Sequence, residues 1–298
     1  MLDEEAILKA IVRAGPAMVR SNVAPSKSAG TGELEREREE APSSSPAPAV
    51  TRAAAVLDVL AASATGRATL SDLARDLGIP KSSTSNILQA LEDAGLVARE
   101  GSEFSLGRKL VELGASYLSR RDEIREFYQF CEQAPTLSRE TVRIALLDGD
   151  HVIYLARYEG HPAVRLTSTI GDKMPASLCA VGKALVGRLH EHDWEVMYPD
   201  DAQLPVLTPY SIRTGKEFKD ELRKIREQGY AFEDEESTLG VVCVAVPVPT
   251  RGAHGPNLGV SVTSLKATFT EEQKLAMVSE LKGLARALGN PMGEWAAS

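Results

Sequence analysis

Cysteine is scarce in this 298-residue chain: Cys131, Cys179 and Cys243 lie far apart, and no C-x-x-C pair exists. That excludes a disulfide scaffold and a sequence-local zinc site. Excess positive charge is missing too. The chain has 34 Lys and Arg against 42 Asp and Glu, a net of −8, which argues against a protein that coats nucleic acid through bulk charge. A small DNA-binding module stays open, because only its docking face must be basic. No run approaches the roughly 20 apolar residues a membrane helix needs, so no membrane span is expected. The opening Met1-Leu2-Asp3-Glu4-Glu5 carries acids where a secretory signal carries bases. The expectation is a reducing, cytoplasmic protein. Apolar residues reach 43% and aromatics 5%. The apolar share is ordinary for a globular fold and excludes wholesale disorder, and the length predicts two domains.

Residues 1–48 differ from the rest. Leu2 to Val19 has weak helical periodicity, Glu33 to Glu40 is a charge run, and Ala41 to Pro48 is a Pro/Ser/Ala linker that cannot build a core. From residue 49 to 107 the pattern is three short helices and a hairpin. Thr51 is the expected cap of the first helix, with Val56, Leu57, Val59 and Leu60 on its apolar side. Thr69 with Asp72 reads as a capping pair, and Gly78 as the stop. Pro80 suits the first turn of a helix through Glu92, closed by Gly95. Val97 to Leu106 folds back at Gly101-Ser102. Leu106, Leu110, Leu113 and Tyr117 form a helical stripe, and residues 108–122 read as a linker helix.

Residues 123–298 read as an α+β domain with a mainly antiparallel sheet. A helix carries Ile124, Phe127, Tyr128 and Cys131. Strands are expected over Thr141–Leu147 and His151–Tyr158, around Asp148-Gly149, then over Val164–Ile170, Tyr230–Phe232, Val241–Val248 and Leu258–Leu265. Helices are expected over Ala180–His190 and Gly215–Gln228. Thr270 with Gln273 caps a last helix that buries Val278, Leu281, Ala285 and Leu288.

Three helices and a hairpin in about 60 residues are the plan of a winged helix-turn-helix. The outward face of the third helix is short and polar: Ser82, Ser83, Ser85, Asn86 and Gln89. Small side chains let a helix approach DNA, hydroxyls reach phosphates, and Asn or Gln pairs bidentately with adenine. Ser and Thr are mediocre helix formers, so this composition disfavours a helix whose only task is solvation. Residues Val50 to Arg121 carry 9 basic and 8 acidic side chains, and Asp122 to Ser298 carry 19 and 26. The acidity therefore sits outside the DNA-binding half. Phosphate contacts are expected from Arg52, Arg67, Lys81, Arg99 and Arg108.

Ala53 to Leu60, Leu70 to Ser83 and Leu91 to Leu96 resemble the DNA-binding half of the IclR family of bacterial transcription regulators. The resemblance continues through Tyr154-Leu155-Ala156-Arg157, Val181-Gly182-Lys183-Ala184-Leu185, Asp234-Glu235-Glu236 and Gly240 to Ala245, which match the effector-binding half in order and spacing. It spans about Val50 to Leu288. It implies a GAF-like C-terminal domain, a dimer through the DNA-binding halves and often a tetramer. It also implies an effector site at Ala180, Val181 and Gly182, with Glu233, Cys243, Ser261 and Thr263 on the other walls. Ser261 and Thr263 are two apart on a strand and so share a face. The chain departs from family habit at Ser177, where many members have His, at Asn86, often Arg, and at Glu233, often Asp.

Enzyme and metal readings of the same chain are weaker. Gly182-Lys183 is not a phosphate-binding loop, since no glycine stands five residues earlier. His190-Glu191-His192 sits at an expected helix end and does not suit a metal, and no metal or cofactor is expected. A hydrolase built on Cys179 or Cys243 with His151, His161 or His254 has no supporting spacing. Lys183 reads as a helix-surface lysine. Glu233 to Glu236 reads as a solvated loop, with only Glu233 inward. A ligand-independent architectural DNA-binding protein would explain the winged helix but leave the second domain idle. The expectation is a metabolite-responsive DNA-binding regulator, with operator DNA, a small organic acid and a second copy of itself as partners.

Overall fold

A computed structural model describes residues 45–119, 122–160, 169–249 and 257–289. The expectations for residues 1–44, most of the Val164–Ile170 strand, and His161 and His254 lie outside the described residues. The chain divides into two compact units, 45–119 and 122–289 of what is described.

The first unit runs α1 (Pro48–Ala62), β1 (Arg67–Thr69), α2 (Leu70–Asp76), α3 (Lys81–Asp93), β2 (Val97–Glu100), β3 (Glu103–Leu106) and α4 (Lys109–Ser119). Thr51 does not cap α1. The helix begins three residues earlier on Pro48, whose missing N–H costs nothing at a helix start. Thr51 lies within the first turn, its hydroxyl 2.6 Å from that of Ser45. Thr69 and Asp72 form a full capping box on α2. Pro80 is the cap residue of α3, one position before the first turn. Gly95, at φ 72°, reverses the chain after α3, and Gly101, at φ 63°, makes the two-residue turn between β2 and β3. A side chain would be strained at either. Sequence periodicity misses β1, which pairs antiparallel with β3 and completes a three-stranded sheet in the order β1-β3-β2. Val56, Leu60, Leu73, Leu88, Leu91, Val97 and Phe104 form the core.

The second unit runs α5 (Asp122–Gln133), β4 (Thr141–Asp148), β5 (His151–Glu159), β6 (Lys173–Pro175), α6 (Ala180–Val186), α7 (Glu191–Met197), α8 (Gly215–Gln228), β7 (Ala231–Asp234), β8 (Val241–Pro247), β9 (Leu258–Leu265) and α9 (Glu271–Gly289). Six strands pair antiparallel in the order β6-β5-β4-β9-β8-β7, as the α+β, GAF-like expectation requires. The helix expected over Ala180–His190 ends early, at Val186, and a second helix that is not expected from the sequence begins at Glu191. His190 precedes the first turn of α7, so His190-Glu191-His192 opens a helix rather than ending one. The cause lies in packing. Trp194 is buried and donates from Nε1 to the Val186 carbonyl at 2.6 Å, which also accepts the Leu189 N–H at 2.9 Å in the turn that follows α6. The Thr270–Gln273 capping box forms, and Val278, Leu281, Ala285 and Leu288 are buried along α9.

Candidate DNA-binding face and buried polar row

On α3, Thr84, Leu88 and Leu91 face the core. The helical period then leaves Lys81, Ser82, Ser85, Asn86 and Gln89 exposed and Ser83 half-buried. Gln89 is tied to Asp93, donating from Nε2 at 2.9 Å. On the wing, Arg99 donates from Nε to the Gly101 carbonyl at 3.0 Å and lies over the Phe104 ring. Its guanidinium is thereby held at the tip of the hairpin. Arg67 is engaged elsewhere: it pairs with Glu100 at 2.6 Å and lies 3.8 Å from Glu103. Arg52, Lys81 and Arg108 are exposed and have no ion pair among the described residues.

In the second unit, α6 lies against the sheet. A Cβ on Gly259 of β9 would come within 2.8 Å of the Val181 side chain. All seven residues of α6 are buried. Gly182 is required because a Cβ there would lie 2.4 Å from Ala176 backbone atoms. Beneath α6 the sheet carries a polar row. The register sets Glu233, Cys243, Thr263 and Thr141 side by side on β7, β8, β9 and β4. Ser261 and Arg143 are the next pair along on β9 and β4. Arg143 Nη1 donates to Thr263 Oγ1 at 2.9 Å, and that oxygen is 3.3 Å from Cys243 Sγ. Cys243 in turn hydrogen-bonds Glu233. The Arg143 guanidinium sits 5.5 Å from the centre of the Tyr154 ring, and the Tyr154 hydroxyl meets the Cys179 thiol. Ala180, Val181 and Gly182 follow Cys179 directly, and the Cys179 thiol donates to the Pro175 carbonyl at 3.8 Å.

Burial governs the electrostatics here. It raises the Glu233 carboxyl above its ordinary value, against the opposing N–H of Ser237 and the charge of Lys183. It pushes Cys179 up to about 12 and raises Cys243 and Tyr154 well above theirs. Thiols so placed are protonated and inert as nucleophiles. Lys183 is not a surface lysine. It is fully buried, donates to Glu236 at 2.6 Å and to the Phe232 carbonyl at 3.1 Å, and fastens α6 to β7 and the turn beyond it. Glu236 therefore also points inward, and the acidic segment is less solvated than its composition implies.

The row retains polar atoms without a partner among the described residues: Arg143 Nε and Nη2, Thr141 Oγ1 and Glu233 Oε2. Arg143 is 4% exposed. A buried ion without a counter-charge costs roughly several kcal/mol. Of this row, the sequence brings Ser261, Thr263, Cys243 and Glu233 together and leaves Arg143 and Tyr154 unmarked. A signal was present. Arg143 is the one charged residue in the expected strand Thr141–Leu147, two positions from Thr141 and so on its face.

A winged helix with a polar, exposed third helix, joined to an α+β unit with a buried polar row, is the build of a DNA-binding transcriptional regulator. Comparison with known proteins gives the family. Residues 49–101 match the IclR helix-turn-helix domain, and residues 115–290 match the bacterial transcriptional regulator IclR C-terminal domain. The chain is similar to the HTH-type transcriptional regulator KdgR of Dickeya chrysanthemi, 31% identical over 228 residues, covering 75% of this chain and 73% of that one. It is similar to the acetate operon repressor of Salmonella typhimurium, 30% identical over 200 residues, covering 66% and 72%. Among solved structures, an IclR transcriptional regulator from Alicyclobacillus acidocaldarius aligns with a TM-score of 0.72 at 27% identity, over 83% of this chain and 99% of that one. The chain belongs to the IclR family of transcriptional regulators. These relatives are regulators and not enzymes.

Proposed function

We propose that the chain is a metabolite-responsive repressor that binds a pseudo-palindromic operator as a dimer or tetramer. In this reading α3 enters the major groove. Ser82, Ser83, Ser85, Asn86 and Gln89 meet bases and phosphates, and Lys81, Arg52 and Arg99 meet the backbone, whereas Arg67 stays with Glu100. Two-fold symmetry of the dimer sets two half-sites one helical turn apart. The observation that carries the reading is the free polar face of α3 beside the wing: Ser82, Ser85 and Asn86 are exposed and make no side-chain hydrogen bond among the described residues. Leu113 and Tyr117, four apart on one face of α4 and both exposed, support self-association along it. The name of the Salmonella relative supports repression.

The effector is a small organic acid bound at the polar row, between Ala180–Gly182 and Glu233, Cys243, Ser261 and Thr263. It acts by binding one arrangement of the chain better than another, without which it shifts nothing. The test is fluorescence anisotropy on the DNA upstream of the chain's own gene, against a scrambled duplex, in about 150 mM salt. A preference of 100-fold or more, about 2.7 kcal/mol, is expected for the native duplex. Asn86→Ala is expected to cost about 1–3 kcal/mol on that duplex and little on the scrambled one. Equal weak binding to a genome-wide set of fragments would favour an architectural protein instead.

A further inference from the structure

We infer that Arg143 is the anion-holding residue of the buried polar row, gripping the effector's carboxylate in a two-pronged contact. This rests on the reading of that row as the effector site, and it moves the anchor from the start of α6 to the floor of the sheet. Three observations carry it. Arg143 is 4% exposed, and no carboxylate lies within ion-pair distance of it among the described residues. Its Nη1 is spent on Thr263 Oγ1 at 2.9 Å, whereas Nε and Nη2 have no partner among the described residues. Those two nitrogens share one edge of the guanidinium, and their N–H bonds run parallel. That edge matches the two oxygens of a carboxylate, and such paired, charge-assisted bonds are among the strongest a side chain makes.

The neighbours say what else the ligand carries. The hydroxyl and thiol of Thr263 and Cys243 lead from Arg143 toward Glu233, whose Oε2 is also without a partner among the described residues. β4 and β7 are three strands apart, roughly 14 Å between backbones. A ligand on this line has its carboxylate at Arg143 and a hydroxyl or oxo group toward Glu233. The class is a small hydroxy- or oxo-carboxylic acid with a single carboxylate, since Arg143 is the one cation of the row and balances one anionic charge. By contrast, α6 is only seven residues long, which leaves it a poorer cradle for charge than a guanidinium.

The test uses the full chain and a set of probes: sodium acetate, lactate, pyruvate and benzoate, each beside its primary amide. Melting temperature and calorimetric Kd are read for the wild type, Arg143→Gln, Arg143→Lys and Ser261→Ala. Lactate or pyruvate is expected to bind best and its amide not at all. Arg143→Gln should weaken binding about 10- to 100-fold. Arg143→Lys should recover part of the loss, because it keeps the charge without the forked edge. Without ligand, Arg143→Gln should melt at or above the wild type, since it removes a buried charge that lacks a counter-ion.

An amide that binds as tightly as its acid would overturn the inference. So would Arg143→Gln binding within twofold of the wild type while Ser261→Ala loses affinity; the row would then remain the effector site with a different anchor. Wild-type affinity in both variants would remove the row itself as the site. A marked fall in the ligand-free melting temperature of both Arg143 variants would assign Arg143 to the fold and sink its role as anchor. Failure of every carboxylate to bind the wild type would also overturn it, because an open guanidinium edge holds any small carboxylate that reaches it.

Discussion

Glu233 has two adjoining claims on its carboxyl: hydrogen bonds from Ser237 and Cys243 favour the charged form, and burial favours the neutral one. Burial wins, and the carboxyl stays protonated to higher pH than an exposed glutamate. The sign of the consequence follows from proton counting. Between the ordinary carboxylate range and the raised value, the folded chain holds a proton that the unfolded chain has lost. Stability therefore falls as pH rises through that window. Glu236 and Glu140 are raised by burial as well and act in the same direction. Glu233→Gln keeps an oxygen for Ser237 and removes the titration. It is expected to unfold at a higher urea concentration than the wild type at pH 8, and the difference should close toward pH 4.5. A constant difference across that range would mean that the carboxyl does not titrate there.

Among the elements, α6 is the most tightly constrained. It is enclosed by the sheet and α8 and bolted by Lys183 to Glu236. Gly182→Ala would drive a methyl group into the Ala176 backbone. Backbone cannot swing aside as a side chain can, so a loss of about 1–3 kcal/mol is expected, read by urea denaturation. Effector response should fall with it, because the wall of the polar row shifts. Elements of this kind were partly legible from sequence. Thr69 with Asp72 and Thr270 with Gln273 announce their helices, because a cap is a contact between residues three apart. β1 was not legible, since a three-residue strand has no period to read. Nor was the early end of α6 at Val186, whose carbonyl takes the indole of Trp194 from the next helix.

Over the whole molecule, charge is divided by function. The DNA-binding half has a net charge near zero and the remainder holds the acidity. Phosphate contacts are accordingly few. Counting Arg52, Lys81 and Arg99 in each of two protomers gives a slope of log K against log salt of about −5. Arg67 is left out of that count because Glu100 holds it at 2.6 Å. Lys81→Ala is therefore expected to flatten the slope by about 2 per dimer, and Arg67→Ala to leave it nearly unchanged. Anisotropy titrations from low to high salt distinguish the two. A drop in slope for Arg67→Ala equal to that for Lys81→Ala would show that the wing ion pair opens on DNA.

Spacing along the chain was enough to set the two-part plan, the caps of α2 and α9, the wing and the polar face of α3. Each follows from residues close together in the chain, where spacing alone settles which side chains share a face. The same rule put Ser261 and Thr263 on one side of a strand. Other contacts came into being only on folding. Arg143 meets Thr263 across 120 positions, and Lys183 meets Glu236 across 53. No local pattern distinguishes an arginine that faces water from one that faces a buried row. That choice is made when the strands pair and α6 closes over them, and with it the choice of which buried charge keeps nitrogens without a partner among the described residues.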